Sequence, residues 1–436
     1  MCSELFRIPI NWVGVPIFGF GVVLAVWLAV GVWALVATAK VAGWPASLRG
    51  HLPTIVIVAA IVALFLPRYF PDGVPLRGYG LMVLCGSIVG ILMAVHRGQQ
   101  ARVSADDLMG LAVVLFICGV VGARLFYIVE YWDTRIQQGN WWATLKDALS
   151  YTEGGLVVYG AFVGGMLGFA AYVWRRKLPA LAMADLIAPS MMAGLALGRI
   201  GCLLNGCCYG GESTAPWAVT FPRENAPHRL SAPYADQARA GRFYGFRVVD
   251  DAEHGAAVVI DRVDAGSPAE KAGLHVGEVV IAVNGKEVAT ADAAHDEISE
   301  ALHAGQSLRL GVAGGEERII AAIDPPPRSL PVHPTQIYSA IDAGLLAWLL
   351  WAFYPYRRRD GAVIALMITL HPISRFLLEH IRVDESPVFG TGLSISQNLS
   401  LALLAVAAGL WIWLLRKPPG RLAFPLPAGG SREPRG

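Results

Sequence analysis

Nine stretches of this chain are apolar for long enough to cross a lipid bilayer, and no other feature restricts its fold as severely. They lie at 14–37, 51–67, 78–96, 108–130, 155–174, 185–204, 336–354, 361–380 and 394–415. A helix needs about 20 apolar residues to span hydrocarbon. With no water to bond to, the backbone of such a segment must satisfy itself, so each stretch is predicted to be helical. The composition agrees, because 55% of the 436 residues are hydrophobic and only 16% are charged, well away from a soluble domain. The net charge of +2 says nothing about partners, and no nucleic-acid partner is expected.

Basic residues alternate along the loops. Lys40 and Arg49, Arg97 and Arg102, Arg175-Arg176-Lys177, Arg357-Arg358-Arg359 and Arg416-Lys417 fall in every second one. The positive-inside rule makes those loops cytoplasmic. The N-terminus and the long segment 205–335 are then outside, and nine spans leave the C-terminus inside. The first apolar run lacks a basic leader and a small-residue cleavage site, so no cleavable signal peptide is expected.

Residues 242–324 change character: charge rises, apolar runs shorten, and Gly and Asp punctuate. In GSPAEKAGLHVGEVVIAVNGKEV, 266–288, Ser267 caps a helix with Pro268 at its first position. The strand VVIAV and an Asn284-Gly285 hairpin turn follow. AHDEISEALHAG, 294–305, reads as an amphipathic helix, and SLRLGVAGGEERIIAA, 307–322, as two strands around a Gly-Gly turn. This stretch resembles a PDZ domain. The resemblance implies a peptide ligand added at a sheet edge, with Gly245 and Phe246 in the loop Tyr244–Arg247 offering backbone N–H groups to a carboxylate. A spacer that orders the outer segment is the alternative reading. Pro325-Pro326-Pro327 is a stiff exit linker.

An ionised side chain inside a span costs about 2.5–3.5 kcal/mol on insertion scales unless paired or hydrated, so each is a candidate site. In GAVIALMITLHPISRFLLEHIRVDES, 361–386, His371, Arg375, Glu379 and Arg382 line one helix face, and Pro372 is predicted to bend the helix. Arg375 with Glu379 reads either as a structural pair or as an anion clamp, and arginine suits a phosphate because its planar fork binds two oxygens. Arg199, in GRIGCLLNGCCYGG (198–211), lies near the outer end of its span, with Asn205 just beyond. Arg124 lies near an outer interface and reads either as snorkelling or as functional. Converging, these arginines would make an outer-leaflet pocket for a phospholipid head group. Cys202, Cys207 and Cys208 lack the paired spacing of a zinc site. Packing residues are the default for them, and a disulfide stays open. No metal or cofactor is expected.

The motifs LRGYGLMVLCG (76–86), GARLFYIVEYW (122–132), EGGLVVYGAFVGG (153–165), ADLIAPSMMAGLALGRIGCLLNGCCYG (184–210), HPTQIYSA (333–340) and SRFLLEHIR (374–382) together resemble the prolipoprotein diacylglyceryl transferase family, over roughly 76–220 and 328–417. The resemblance implies an α-helical multi-pass membrane protein. It would have a seven-helix core (76–241 and 325–417), an extra N-terminal helical pair (1–75), the inserted α+β PDZ-like domain (242–324) and a disordered cytoplasmic tail (418–436). VPIFGFGVVLAV (15–26) echoes VPLRGYGLMVLC (74–85), as in a partial duplication.

The implied activity moves a diacylglyceryl group from phosphatidylglycerol to the lipobox cysteine thiol in the signal-peptide region of a prolipoprotein, at the outer face of the bacterial inner membrane. It implies catalytic roles for Arg199, Arg375, Glu379, Tyr159 and His333. Substrate binding falls to Tyr79, Arg124, Gly160, Asp185, Asn205 and Gly210. This chain departs from the family pattern at Tyr159, where a histidine is usual, at Cys202 and Cys207, and at Ser339. A phenol with a pKa near 10 is a poor base at neutral pH, and His333 serves as well as a base or as a helix-start cap. The alternative reading is a non-catalytic lipid- or lipoprotein-binding scaffold. A transporter fits less well, because the polar residues gather at one face.

Overall fold

The computed structural model describes residues 4–12, 14–132, 136, 140–149, 155, 157–226, 229–251, 257–382 and 391–421. Among them, eight helices are long and apolar enough to cross a membrane: Val22–Val41, Trp44–Tyr69, Gly78–Gln100, Ala105–Glu130, Ala180–Asn205, Thr335–Tyr356, Ala362–Glu379 and Ile395–Arg416. The expected ninth span is the helix Val158–Arg175. Its glycines and terminal arginine dilute its apolar content below that standard, so eight helices meet it rather than nine. The tail residues beyond 421, and Glu153, Gly154 and Leu156 of the third motif, lie outside the described residues.

The described chain forms two compact units, bounded as Met1–Leu81 with Leu204–Cys207 and Thr220–Leu330, and as Met82–Leu203 with Cys208–Val219 and Pro331–Gly436. In the first unit, the helices Val22–Ala42 and Trp44–Ala60 are separated by Gly43 alone, at φ +82°. That left-handed conformation suits glycine and ends a helix within one residue. Lys40 and Arg49 therefore sit inside helices, not in the loop expected from their charge. The strand Glu4–Ile8 pairs antiparallel with Val74–Arg77, the segment leading into the helix at Gly78. The echo between 15–26 and 74–85 has a counterpart here: Val15–Pro16 and Val74–Arg77 are both short strands preceding a long helix.

The inserted module follows its turn and cap signals closely. Asn284-Gly285 joins Val280–Val283 to Lys286–Glu287, and Gly314-Gly315 joins Leu308–Val312 to Glu317–Ile320. These strands form one antiparallel sheet in the order 286–287, 280–283, 308–312, 317–320; Phe246–Asp251 and Ala257–Val263 form a separate pair. Ser267 caps Pro268–Lys271 through the Glu270 N–H at 3.1 Å. The amphipathic helix runs Ala291–Ala304, starting earlier than expected because Thr290 caps it. The core reaches further upstream than residue 242. Tyr234 and Ala238, on the helix Ala232–Arg239, are fully buried with Phe246, Ile260, Ile298 and Leu308. Burial pushes the Tyr244 hydroxyl up to about 12, so it stays a neutral packing group.

In the second unit, Ala105–Glu130 and Val158–Arg175 pack along a seam of glycines. A Cβ on Gly160 would lie 2.4 Å from both the Gly122 oxygen and the Phe126 Cβ, and one on Gly164 would lie 2.2 Å from the Cys118 oxygen. Small residues let membrane helices approach backbone to backbone. Overpacking a close-fitted site costs about 1–3 kcal/mol, and here the obstructing atoms include backbone, which cannot move aside. Gly160→Val should therefore sharply reduce the amount of folded protein recovered from membranes in detergent. Gly165→Val is the control, because a Cβ there meets nothing within 4 Å. Equal recovery of the two variants by size-exclusion chromatography would refute the seam.

Candidate functional site

The second unit gathers its polar side chains around the end of the helix Ala362–Glu379. One Arg375 guanidinium nitrogen pairs with the Glu379 carboxylate, and another donates to Ser396 Oγ at 2.8 Å. Ser396 lies 3.5 Å from the Tyr159 hydroxyl, so the phenol reaches Arg375 through one serine. Glu379 also accepts from Ser394 Oγ at 3.1 Å and faces Arg382 at 3.6 Å. The Arg375 and Glu379 side chains are 16% and 4% exposed, so both charges are held largely out of water, where electrostatic interactions are strongest. Ser394 is set by a capping box: its hydroxyl accepts from Gln397 N, and the Gln397 side chain accepts from Ser394 N. That motif fixes the start of Ile395–Arg416 and so the position of Ser396.

Arg199 lies on the helix Ala180–Asn205 and is half-buried. Its guanidinium makes no hydrogen bond or ion pair with any other described residue. His371 lies one turn before Arg375 on the same helix, and Asp342 and Arg199 also act on it electrostatically. Asp342, on Thr335–Phe353, accepts from Ser374 Oγ at 2.8 Å. It is legible in the sequence as a lone carboxylate in the apolar run 336–354. Ser394 and Ser396 carried only a capping signal, with nothing to tie them to Arg375.

The turn after Asn205 is threaded between two segments. Gly210 N donates to His333 O, His333 N to Gly211 O, and Gly211 N to Ile381 O, all at 2.9 Å. Thr335 Oγ1 donates to the Cys208 oxygen at 2.7 Å. A Cβ on Gly210 would lie 2.8 Å from both His333 Cβ and Thr335 Cγ2, so glycine is required by space. His333 Nδ1 faces the Tyr338 hydroxyl at 3.3 Å, and that hydroxyl accepts from Trp217 Nε1 at 2.7 Å. In the first unit, Asn205 closes its helix, Gly206 follows at φ +78°, and the Asn205 oxygen accepts from Asn225 Nδ2 at 2.9 Å. Tyr79 is the second residue of Gly78–Gln100 and is 45% exposed.

Five expected ligand-binding residues do other work. Arg124 donates to the backbone oxygens of Ala148 (2.9 Å), Gly155 (3.0 Å) and Asp147 (2.5 Å). These contacts stabilise the negative end of the helix Trp141–Leu149. Asp185 is fully buried and accepts from the N–H groups of Gly361 (2.8 Å), Val363 and Ile364 (2.9 Å each), with Arg357 Nε at 3.3 Å. It caps the start of Ala362–Glu379, some 14 residues from Arg199 and so about 21 Å along its own helix. Arg357 is accordingly buried and not part of a solvated basic loop. Gly160 is a packing position. Gly245 donates its N–H to Arg242 O and Phe246 donates to Gly241 O, while the Phe246 ring is fully buried. Those amides are engaged within their own turn, which removes them as a carboxylate nest.

An apolar cavity of about 790 Å³ opens between Gly78–Gln100, Ala105–Glu130 and Ala180–Asn205, lined by Leu84, Gly86, Gly90, Ala112, Phe116 and Gly194 among others. The second unit thus combines a hydrocarbon-lined cleft with a dry arginine cluster, the two chemistries of an anionic lipid.

The family model described as prolipoprotein diacylglyceryl transferase matches residues 67–413. A phosphatidylglycerol–prolipoprotein diacylglyceryl transferase of Rhodopirellula baltica is 32% identical over 453 aligned positions, covering 93% of this chain and 88% of the relative. Similarly named proteins of Clostridium perfringens (35% identical) and Clostridioides difficile (29%) align with 35% and 34% of the chain respectively, and with 57% of their own length.

Proposed function

The chain belongs to the prolipoprotein diacylglyceryl transferase family, and from that premise we propose that it transfers the diacylglyceryl group of phosphatidylglycerol to the lipobox cysteine of prolipoproteins. The single observation that carries this reading is the largely buried cluster in which Arg375 is held by Glu379 and Ser396, in the same compact unit as the half-buried guanidinium of Arg199, which makes no hydrogen bond with a described residue. The scissile bond joins a glyceryl carbon to a phosphate oxygen, so negative charge grows on the departing glycerol phosphate. Guanidinium donors preorganised in a water-poor site stabilise that charge more than they stabilise the resting lipid. Glu379, Ser396 and Tyr159 hold Arg375 in place, and the His333–Gly210–Gly211 latch shapes the turn that follows Arg199. The apolar cleft takes an acyl chain.

The nucleophile is supplied by the substrate, which accounts for a site without a Ser-His-Asp set. We place the site at the outer face of a bacterial inner membrane, from the alternation of basic loops. The inserted module is read as PDZ-like from its order of strand pair, short helix, hairpin, long helix and strand.

Expression in a bacterium depleted of its own transferase tests the activity. Growth and labelled, membrane-anchored lipoprotein are the expected result. Good expression with no lipidation would favour a lipid-binding scaffold instead.

A further inference from the structure

A transferase acting on a thiol needs a group to take the thiol proton, because the thiolate is the nucleophile and a cysteine ionises near pH 8.5. The two groups expected for this task, and the carboxylates near Arg375, are engaged. The Tyr159 hydroxyl faces Ser396, Glu379 is held by Arg375 and Ser394, Asp342 accepts from Ser374, and His333 Nδ1 faces Tyr338. His371 is different. Its ring makes no hydrogen bond with a described residue, and its Nδ1 is buried without a partner among them. Buried polar atoms are almost always bonded, so an orphan in a polar cluster points to a group reserved for chemistry. The charged side chains acting on the ring are Asp342 from Thr335–Phe353, Arg199 from Ala180–Asn205 and Arg375 from its own helix. It therefore lies among the groups that would hold the phosphate.

We infer that His371 is the general base of the reaction; the inference rests on the transferase reading above. The imidazole takes the proton from the lipobox S–H. A sulfur lone pair forms the C–S bond to the glyceryl carbon as the C–O bond breaks, and that electron pair leaves on the phosphate oxygen. The imidazolium then returns the proton to the glycerol phosphate, leaving a neutral ring, and nothing is oxidised or reduced. Asp342 and the bound phosphate stabilise the imidazolium while it exists.

The test compares lipobox peptides carrying cysteine or selenocysteine in the full-length purified enzyme, since a selenol is already ionised at neutral pH and needs no base. In His371→Gln, kcat for the thiol peptide should fall about 10²-fold or more. KM for phosphatidylglycerol should stay near the parent value, and the selenol rate within a few-fold of it. In the parent, the thiol rate should fall towards acid pH while the selenol rate stays level. Equal losses with both peptides, or an unchanged thiol rate, overturn the assignment. Where the variant fails to insert, the parent decides: parallel acid losses for thiol and selenol overturn it equally. A parent that lipidates neither peptide overturns the transferase reading, and the base assignment with it, without recourse to the variant.

Discussion

Replacing Arg375 by alanine should lower kcat/KM for lipidation by at least about 10²–10³-fold, equivalent to roughly 3–4 kcal/mol of transition-state stabilisation. Arg199→Ala should do the same. The expectation follows from where the charge develops. On the proposed reading each guanidinium would meet a phosphate that gains negative charge as the C–O bond breaks, in a site only partly open to water. Lysine should rescue little at position 375. Its single ammonium cannot hold Glu379, Ser396 and a phosphate oxygen together as the planar fork does. Neither loss should reflect misfolding. In Arg375→Ala, Glu379 keeps Ser394 and Arg382 as partners, so no buried carboxylate is stranded. Arg199 contributes no hydrogen bond to a described residue. Purified variants should elute as the parent does and fail in a lipobox-peptide assay with phosphatidylglycerol vesicles. Normal turnover by either alanine variant would end the phosphate-clamp account.

Asp185→Ala should act on stability instead. Breaking a buried, hydrogen-bonded charge pair by removing one partner costs about 3–5 kcal/mol, a large share of the stability of a typical domain. The variant leaves three N–H groups at the start of Ala362–Glu379 unsatisfied and Arg357 without one carboxylate. Arg357 retains Asp360 at 3.5 Å and the Tyr354 ring, whose centroid is 3.8 Å away, so the loss is partial. The thermal midpoint in detergent should fall clearly. Asp185→Asn should be intermediate, since its amide keeps one acceptor oxygen. Full stability in Asp185→Ala combined with loss of turnover would return this residue to the lipid-binding set.

These two predictions separate residues that the sequence presents alike. Arg124, Arg199 and Arg375 all read as intramembrane or interfacial arginines, and Asp185 as one more rare charge in a span. The difference lies in partners remote in sequence. Arg124 meets backbone oxygens 23 to 31 residues away, and Asp185 meets amides 176 to 179 residues away. His371 was visible as one of four polar residues on a helix face, but its lack of a partner is a property of everything packed around it. The loop at 244–247 makes the same point at short range. The sequence offers the amides of Gly245 and Phe246 to a ligand, yet the 3₁₀ turn at Arg242–Tyr244 and Gly241 before it engage them.

By itself the sequence determined that the chain is a bundle of membrane-spanning helices with an inserted α+β module, and which family it belongs to. A bilayer leaves an apolar backbone no alternative to the helix, and Asn-Gly, Gly-Gly and Ser-Pro steps restrict their own dihedral angles locally. The tertiary structure alone decided which charged side chains are occupied with partners in the fold and which, like the Arg199 guanidinium, have none among the described residues. Whether a polar side chain is satisfied depends on donors and acceptors that only packing brings near it.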